Sequence, residues 1–474
     1  MQNRKVREWR PIPPGFFGYW LARFRFKTQE KPMTPRIFAS LAAAASMAAL
    51  LSGAAQAADP ATLDWSKVPP KTVKLFYPGQ GGYEWLLTPD HKKGDKQVAQ
   101  GKSCVSCHEG DEADIGNKLV KGGPLEPTPI AGKNGALDLA VQAAHDADYL
   151  YFRFQWKTNM AREGRMHDYI RFDGKEWKFW GGHRAKESVR TGKEPPLYED
   201  RFSIMLDDGK VPNFAQQGCW LTCHNGLRNM PGEPAKDVVE KHPYLGKDGL
   251  KKDEILKFLP SSRADGKSWD KPKTAAEIAK IKAEGGFLDL MQWRVHRSNP
   301  VGMSDDGYVL DYRLFDEGKN PFAFNVDRKT MIPKFMFDAK KVGAKALRQE
   351  DIGNPAKPAA LLREENTVAY DAGAGWKEGD LLPGRVVSRA DAKGSAADND
   401  ATKGTWKDGT YTLVWRRKLN TGHPADDKIM KVGGAYTVGF AIHDDNVTTR
   451  FHHVSFPLSL GIGTKADIQA MKLN

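Results

Sequence analysis

The sequence predicts a mainly β protein, a β-sandwich with helical and loop insertions. Several short runs alternate between apolar side chains and polar or small ones, as half-buried strands do. Turn-forming residues separate these runs at short intervals, which is typical of a sandwich. Helical patterns are confined to segments between the runs. The 13 tryptophans and the hydrophobic content of 40% are enough for a substantial core.

Residues 1–57 are interpreted as a leader and an export signal. Met33 opens a short basic region, Ile37–Leu51 is apolar, and Ala55–Ala57 forms an A-x-A cleavage site. We expect translation to start at Met33; the alternative is a true extension that keeps the apolar run as an anchor. Removing residues 1–57 lowers the formal charge from +13 to about +6. No stretch reaches the roughly 18 apolar residues of a membrane span. We therefore expect a periplasmic protein with no membrane span after signal cleavage.

The elements follow in chain order. Residues 58–125 are expected to form a small N-terminal lobe, and residues 126–474 a sandwich with insertions at about 233–286 and 385–408. An entry hairpin is expected over 137–156, with a turn at Asp146–Asp148. Thr274 and Glu277 form a capping box that starts a helix ending near Glu284. Within the second insertion, the stretch 390–404 is interpreted as a long surface loop. Further strands are expected at 167–173, 176–181, 201–206, 307–314, 410–418 and 435–442.

All four cysteines lie in two short pairs, each followed directly by histidine. Cys104, Cys107 and His108 form the C-x-x-C-H signature of covalent haem attachment, in which two thiols bind the porphyrin and the histidine binds the iron. The alternatives are a thioredoxin-like redox pair or half of a zinc site. The export signal disfavours both, and the adjacent histidine also disfavours the first. The sequence thus predicts that the N-terminal lobe is a c-type haem lobe.

The second pair has one extra residue between its cysteines. Cys219 and Cys223 are separated by three residues, and His224 follows at once. Because the relation between Cys223 and His224 is intact, a bulged turn is enough to bring Cys219 to the porphyrin. We therefore predict a second covalent haem, with His108 and His224 as the proximal iron ligands. A local Cys219–Cys223 disulfide and a metal site with outside ligands are the alternatives.

An electron-transfer haem usually has a second strong axial ligand, so the ten other histidines were compared. Five of them are distal candidates: His296, His145, His167, His452 and His453. The last two are adjacent, and on a strand they face opposite sides, so only one can reach a given haem. The remaining histidines lie in polar or turn contexts and are interpreted as non-ligands: His91, His183, His242, His423 and His443.

Charged residues near the motifs have two interpretations. Arg228, Arg294 and Arg297 could bind haem propionates as bidentate partners, or could be surface charge. The pairs at 207–208 and 305–306 are interpreted as turns, since they lack the ligand count of a calcium loop. No basic run with interleaved aromatic residues is present, so no nucleic-acid partner is expected.

Several longer stretches resemble one known family. They are LDLAVQAAHDADYLYFRFQW (137–156), RFSIMLDD (201–208), LDLMQWRVHRSNPVGMSDDGYVLDYR (288–313) and YTVGFAIHDDNVTTRFHHVSFPLSLG (436–461). Together they resemble the ethylbenzene dehydrogenase-related family, also described as the cytochrome c-552/DMSO reductase-type haem-binding domain. The resemblance implies a haem-binding β-sandwich that passes electrons. Its best-known members are haem b subunits of molybdenum oxidoreductases, with methionine and lysine on the iron. The cysteine pairs set this chain apart as a c-type, dihaem variant, so those ligands are not transferred to it.

The first functional hypothesis is a periplasmic dihaem c-type cytochrome that transfers electrons between redox partners. Such partners would be a quinol-oxidising membrane cytochrome or a periplasmic oxidoreductase. The alternatives are a haem-bearing subunit of a molybdenum oxidoreductase complex, a catalytic dihaem enzyme (a peroxidase or small-molecule reductase) and a haem-based sensor. No nucleophile elbow, H-E-x-x-H motif or Gly-rich phosphate loop is present. An electron-transfer protein is thus favoured over an enzyme.

Overall fold

Twenty-one short strands and a smaller set of helices make up the described part of the chain. The structure is a computed structural model and describes residues 57–129, 131–158, 168–315, 319–444 and 451–473. The mainly β prediction is confirmed. The strands are β1 (Lys71–Phe76), β2 (Ala136–His145), β3 (Tyr149–Lys157), β4 (Tyr169–Phe172), β5 (Trp177–Trp180), β6 (Arg201–Asp207), β7 (Leu288–Arg294), β8 (Gly307–Val309), β9 (Arg313–Phe315), β10 (Phe322–Phe324), β11 (Phe335–Phe337), β12 (Leu361–Leu362), β13 (Thr367–Ala369), β14 (Leu381–Pro383), β15 (Arg385–Val387), β16 (Thr402–Lys407), β17 (Thr410–Lys418), β18 (Ala435–His443), β19 (His453–Val454), β20 (Leu458–Ile462) and β21 (Ile468–Lys472).

The helices are short, and most of them lie in the connections between strands. The α-helices are α1 (Tyr83–Leu86), α2 (Gly94–Ala99), α3 (Val105–His108), α4 (Glu112–Leu119), α5 (Glu187–Arg190), α6 (Phe214–Gln217), α7 (Lys236–Lys241), α8 (Ala275–Ala283) and α9 (Ala339–Val342). Single 3₁₀ turns occupy Trp65–Lys67, Pro89–His91, Gly218–Thr222, Pro260–Ser262, Asn299–Val301, Gln349–Asp351, Arg389–Asp391 and Gly394–Ala397.

Thirteen strands form one long sheet that folds over on itself. Its order is β16-β17-β3-β2-β1-β19-β18-β6-β7-β8-β9, and β20 and β21 form a second link between β18 and β2. Strands β3 and β6 are not hydrogen-bonded neighbours, yet the ring centroids of Phe154 and Phe202 are only 4.4 Å apart. The ring of Phe440 on β18 lies 5.7 Å from Phe154. The two halves of the sheet therefore pack face to face around aromatic side chains, as in a sandwich.

The entry hairpin shows how the sequence pattern sets the register. Strands β2 and β3 pair antiparallel from Leu139↔Trp156 to His145↔Leu150. Alternate residues of β3 point into the core, among them the buried Phe152 and Phe154. The turn is closed by Asp146, whose Oδ1 accepts the backbone N–H of Asp148 at 2.8 Å. The predicted hairpin is confirmed, because alternation and an Asp turn are both local signals.

The β18-β6-β7 half of the main sheet is covered by protein on its outer face as well, and this covered face is where the site lies. All seven residues of β6 are buried, so both of its faces pack against protein. Phe202, Ile204 and Leu206 face the sandwich core. Met205 instead belongs to a second apolar cluster, which includes residues of the second cysteine motif.

The insertion after the second motif contains α7, α8 and a 3₁₀ turn. Helix α8 starts at the predicted capping box: Thr274 Oγ1 accepts the Glu277 N–H at 3.3 Å, and the Glu277 carboxylate accepts the Thr274 N–H at 2.9 Å. Residues 319–400 carry β10–β15, which form three small sheets, one of them together with β4 and β5.

The structure corrects two local expectations. The run at 307–314 is not one strand but the hairpin β8–β9, closed by a tight turn with Val309 opposite Arg313. The stretch 390–404 is not only a loop: it contains the 3₁₀ turn Gly394–Ala397 and ends in β16, which pairs with β17 through Thr402↔Trp415. The segment 58–125 supplies β1 to the centre of the main sheet, and residues 57–474 form one compact unit.

Candidate functional site

The two cysteine motifs, more than a hundred residues apart in sequence, lie side by side. The backbone N–H of Cys104 donates to the carbonyl of Gln216 at 3.1 Å. The Gln217 side chain donates to the carbonyl of Val98 at 2.8 Å, and the Tyr83 N–H donates to the carbonyl of Cys223 at 2.5 Å. Since Gln216 is three residues from Cys219, at most about 10–11 Å of chain separates this hydrogen bond from the second pair.

The first motif lies at the surface on the one-turn helix α3. Cys104 precedes this helix and is half-buried, and burial raises the pKa of its thiol to about 11. Cys107 is exposed, and the side chain of His108 is 37% exposed. Nδ1 of His108 lies 3.6 Å from a carboxylate oxygen of Asp111. The two thiols and the imidazole are therefore grouped within a single helical turn, with access to solvent.

The second motif is buried. Residues 218–222 form a 3₁₀ turn, which accommodates the extra residue, and Cys223 is the next residue in the chain. Gly218 has a φ of 55°, and a Cβ there would meet Cδ of Pro457 at 2.9 Å, so only glycine fits. Burial raises the pKa of the Cys219 thiol to about 11, which keeps it protonated and effectively apolar. Like the other three cysteines, it takes part in no disulfide.

Both thiols of the second motif open into a cleft over the outer face of the β18-β6-β7 half-sheet. The cleft encloses about 900 Å³, including solvent at its mouth. Met205, Leu290 and Ala441 form an apolar floor. Gly439 belongs to the same floor, and a Cβ there would lie 3.2 Å from Sγ of Cys219. The wall opposite the sheet is made by the segments 227–228 and 254–257.

The cleft also contains a buried group of cations. Arg201 and Arg313 line it, and Arg294 hydrogen-bonds the same Gln292 oxygen that Arg313 contacts. Burial, together with the positive charge of Arg294, lowers the pKa of Arg313 to about 10. Burial also lowers the pKa of Arg201, with repulsion from neighbouring arginines acting in the same direction. The group therefore favours an anion, which would offset this repulsion.

Comparison with known proteins assigns the fold and the cleft to one family. The sequence profile described as "Ethylbenzene dehydrogenase" matches residues 62–455, which include both cysteine motifs and every strand of the cleft floor.

The chain belongs to the ethylbenzene dehydrogenase family.

Two relatives of this family member carry cytochrome names. It is 28% identical over 419 residues to a protein named cytochrome c-552 from Stutzerimonas stutzeri, which covers 88% of this chain and 93% of the relative. It is also 28% identical over 225 residues to a protein named cytochrome c-551 from Rhodocyclus tenuis, covering 47% of this chain and 73% of the relative. In the described part of the chain, no helix combines the length and apolar character needed to cross a bilayer.

His224, predicted as the second proximal ligand, is fully buried beside the motif. Its Nδ1 lies 2.7 Å from the carboxylate of Glu84 on α1, and its Nε2 lies 3.0 Å from the carbonyl of Phe258. Its ring stacks on Phe258 at 3.5 Å between centroids. Burial lowers the pKa of His224, although Glu84 acts in the opposite direction. To bind a metal through Nε2, the histidine would have to exchange its contact with the Phe258 carbonyl.

His452, one of the predicted distal candidates, lines the cleft together with His443. Their rings stack at 4.5 Å between centroids. Burial holds the pKa of His443 well below its ordinary value, and the charges of His452 and Arg201 act in the same direction. The imidazole of His443 is therefore neutral, and its Nδ1 has no hydrogen-bond partner among the described residues.

Sequence interpretation missed His443, which was assigned to a polar context. The signal that could have found it is strand alternation in β18, which places Gly439, Ala441 and His443 on one face. The register then sets His443 opposite Arg201 on β6.

None of the other distal candidates that the structure describes lines the cleft. The His453 imidazole contacts the carbonyl of Asn134 at 2.8 Å, and its Nδ1 lies 3.6 Å from Asp444. His145 lies nine residues along β2 from Ala136, roughly 30 Å from the end of the strand beside the motifs. The backbone N–H of the buried His296 donates to Glu199. His167 lies outside the described residues.

The arginines named from the sequence have different environments. Arg294 is buried and bonds Asp305 through Nε at 2.6 Å, and Arg297 is buried against Glu199. Neither is simple surface charge. Arg228 lines the cleft and pairs with Glu254.

Proposed function

We propose that this chain is a periplasmic dihaem c-type cytochrome that transfers electrons between redox partners. One haem is attached through Cys104 and Cys107, the other through Cys219 and Cys223. The observation that supports the proposal is the backbone hydrogen bond from Cys104 to the carbonyl of Gln216, three residues before Cys219, because it brings the chain segments of the two cysteine pairs together. The cytochrome names of both relatives support it.

The chemistry of the second cleft fits a porphyrin. A haem c has an apolar ring, two vinyl carbons that add to thiols, and two propionates. The cleft supplies a floor of Met205, Leu290 and Ala441, two thiols, and the arginine group with its surplus of positive charge. Arginine is well suited to bind carboxylates such as the propionates.

His108 and His224 are the proximal ligands in this proposal. Ligand histidines usually hold a carboxylate or carbonyl on their second ring nitrogen, which fixes the ring orientation. Glu84 occupies this position for His224, and Asp111 lies near it for His108. When bound, the haems supply one-electron redox chemistry. The chain orients them, keeps the second one dry and leaves the first one accessible.

The difference in exposure between the two motifs indicates which haem exchanges electrons with external partners. Cys107 is exposed, whereas Cys219 and His224 are buried. The first haem would therefore exchange electrons with an external partner, such as a quinol-oxidising membrane cytochrome or a periplasmic oxidoreductase. The second would exchange them through the first. Export by the signal in residues 1–57 is part of the same proposal, because haem c attachment takes place after translocation.

A second function is favoured by the family match. The matching profile is named after an oxidoreductase, and this chain could serve as the haem-bearing subunit of a molybdenum oxidoreductase complex. Co-purification of a large catalytic subunit with the tagged native chain would favour this function, whereas a monodisperse single chain that exchanges electrons with a small redox protein would favour the relay.

The test counts covalent haems in matched variants. The exported chain is produced with the cytochrome c maturation machinery, and its pyridine haemochrome is measured per polypeptide. We expect two haems in the wild type, one in Cys104→Ala/Cys107→Ala and one in Cys219→Ala/Cys223→Ala. A count that does not change when the second pair is replaced would refute the second site, and a colourless wild-type protein would refute the function.

A further inference from the structure

His91 lies opposite His108, although the sequence placed it among the non-ligand histidines. It ends the 3₁₀ turn Pro89–His91, and its ring centroid is 6.2 Å from that of His108. The two ring planes are inclined by 21°. His108 follows the first cysteine pair directly, so His91 is placed across from the predicted proximal ligand.

The separation of the rings suits two ligands on one iron. Imidazole nitrogens bind transition metals at about 2.0–2.1 Å, and each nitrogen lies about 1.1 Å from its ring centre, so two such ligands hold their ring centres about 6.3 Å apart. The observed 6.2 Å agrees with this value.

The tautomer of His91 also suits a ligand. Its Nδ1 lies 3.0 Å from the carbonyl oxygen of Leu86, so Nδ1 must carry the proton and donate it. This leaves the lone pair on Nε2. A donor contact from one ring nitrogen to a backbone carbonyl or carboxylate is the usual arrangement for a metal-bound histidine. His108 has its own Nδ1 3.6 Å from Asp111.

Local packing holds the His91 ring in place. A Cβ on Gly94, the first residue of α2, would approach Cε1 of His91 at 2.5 Å, so the glycine lets α2 begin directly against the ring. The centroid of the Trp85 ring lies 5.3 Å from that of His91. Lys92, which follows His91, has a φ of 51° and turns the chain towards α2. A ring fixed in this way is pre-organised to act as a metal ligand, whereas a surface histidine needs none of these contacts.

We propose that His91 is the second axial ligand of the iron held by the first cysteine pair. This inference rests on the proposed attachment of haem at that pair. The first haem is then a six-coordinate, low-spin bis-histidine haem, closed to small ligands and suited to electron transfer. Its reduction potential is lower than that of a histidine–methionine haem in the same place, because a methionine ligand raises the potential.

The test isolates the first haem in the Cys219→Ala/Cys223→Ala background. His91→Ala and His91→Met are compared with His423→Ala, a replacement of a partly buried histidine in the loop 419–432. The readouts are covalent haem count, the absorption and EPR spectra of the ferric protein, and CO binding by the reduced protein.

We expect the background and the His423→Ala control to hold one low-spin haem that does not bind CO. His91→Ala should keep the haem but become high-spin and bind CO, and added imidazole should restore the low-spin spectrum. His91→Met should remain six-coordinate with a higher reduction potential. Rescue by imidazole would not follow from a structural role alone.

Two failures are distinguishable. If the background protein has no covalent haem, the proposed function fails at the first site, and the inference fails with it. If it has one haem and His91→Ala stays low-spin and closed to CO, the function stands and His91 is not the ligand. A low-spin His91→Met with an unchanged potential would also overturn the inference, even if His91→Ala failed to fold.

Discussion

Replacing Glu84 should destabilise the contact between α1 and the second cysteine motif. Its carboxylate accepts two hydrogen bonds, from Nδ1 of His224 at 2.7 Å and from the backbone N–H of Asn225 at 2.8 Å. Hydrogen bonds to a charged group contribute about 1.5–3 kcal/mol each. Because the Glu84 side chain is 26% exposed, water offsets part of the stability that is lost with these hydrogen bonds. We therefore expect Glu84→Ala to lower the free energy of unfolding by about 2–4 kcal/mol, and Glu84→Gln by about half as much, since an acceptor oxygen remains.

The pH dependence gives a sharper signature. Burial acts to raise the pKa of Glu84, but the contacts with His224 and Asn225 outweigh it and hold the pKa below its ordinary value. Its contribution is therefore present above the unfolded pKa and is lost as the pH falls through the folded pKa. The deficit of Glu84→Ala should therefore be full at pH 7 to 8 and should narrow as the pH falls below about 4.5.

Denaturant unfolding of the purified chain, followed by far-UV circular dichroism at several pH values, measures this deficit. The matched control is Glu350→Ala at an exposed position, for which we expect a change within about 0.5 kcal/mol. A Glu84→Ala protein as stable as the control, or a deficit in stability that does not change with pH, would show that the carboxylate does not stabilise the contact between α1 and the second motif.

Three further perturbations test other parts of the structure. Lys133→Met leaves Asp444 without the ammonium 3.2 Å away in a buried pair, and should lower the free energy of unfolding by about 3–5 kcal/mol in the same assay; a loss below about 1 kcal/mol would contradict this. Burial raises the pKa of Asp427 to about 7, so the contribution of this group to stability falls as the pH rises from about 4 to 7. Asp427→Asn should then be the more stable protein at pH 8 but not at pH 4, and a difference independent of pH would be evidence against it. Gly439→Val places methyl groups against Sγ of Cys219 and should reduce covalent haem from two towards one, whereas an undiminished count would mean that the cleft can rearrange.

Local patterns allowed much of the fold to be predicted. The β2–β3 hairpin and the capping box of α8 rest on residues a few positions apart, and both are confirmed. The hairpin β8–β9 was missed because the turn between Val309 and Arg313 contains no glycine, proline or asparagine. Strand β16 was missed because its polar sequence forms a strand only by pairing with β17.

The four cysteines of the candidate site were selected by their spacing alone, and their role in haem attachment stays a prediction. The surroundings of the histidines were harder to predict. Which histidines face the cleft depends on long-range strand pairing, such as the register that sets His443 opposite Arg201. These arrangements are properties of the folded chain, which the residues near each histidine do not encode.

The proximity of His91 to His108 has a different origin, since both lie within one short segment. It depends on the positive φ of Lys92 and on the close packing of Gly94, neither of which has a periodic pattern in the sequence. A non-glycine residue with positive φ is uncommon, so a regular turn or helix pattern does not anticipate it.

Intact mass of the exported protein, recorded together with absorption spectra of its oxidised and reduced forms, tests the central claim most directly. The mass of the polypeptide from residue 58 onward plus two haems, with the sharp bands of reduced c-type haem, is the predicted result. A colourless protein, or one whose four thiols are free or joined in disulfides, would contradict it.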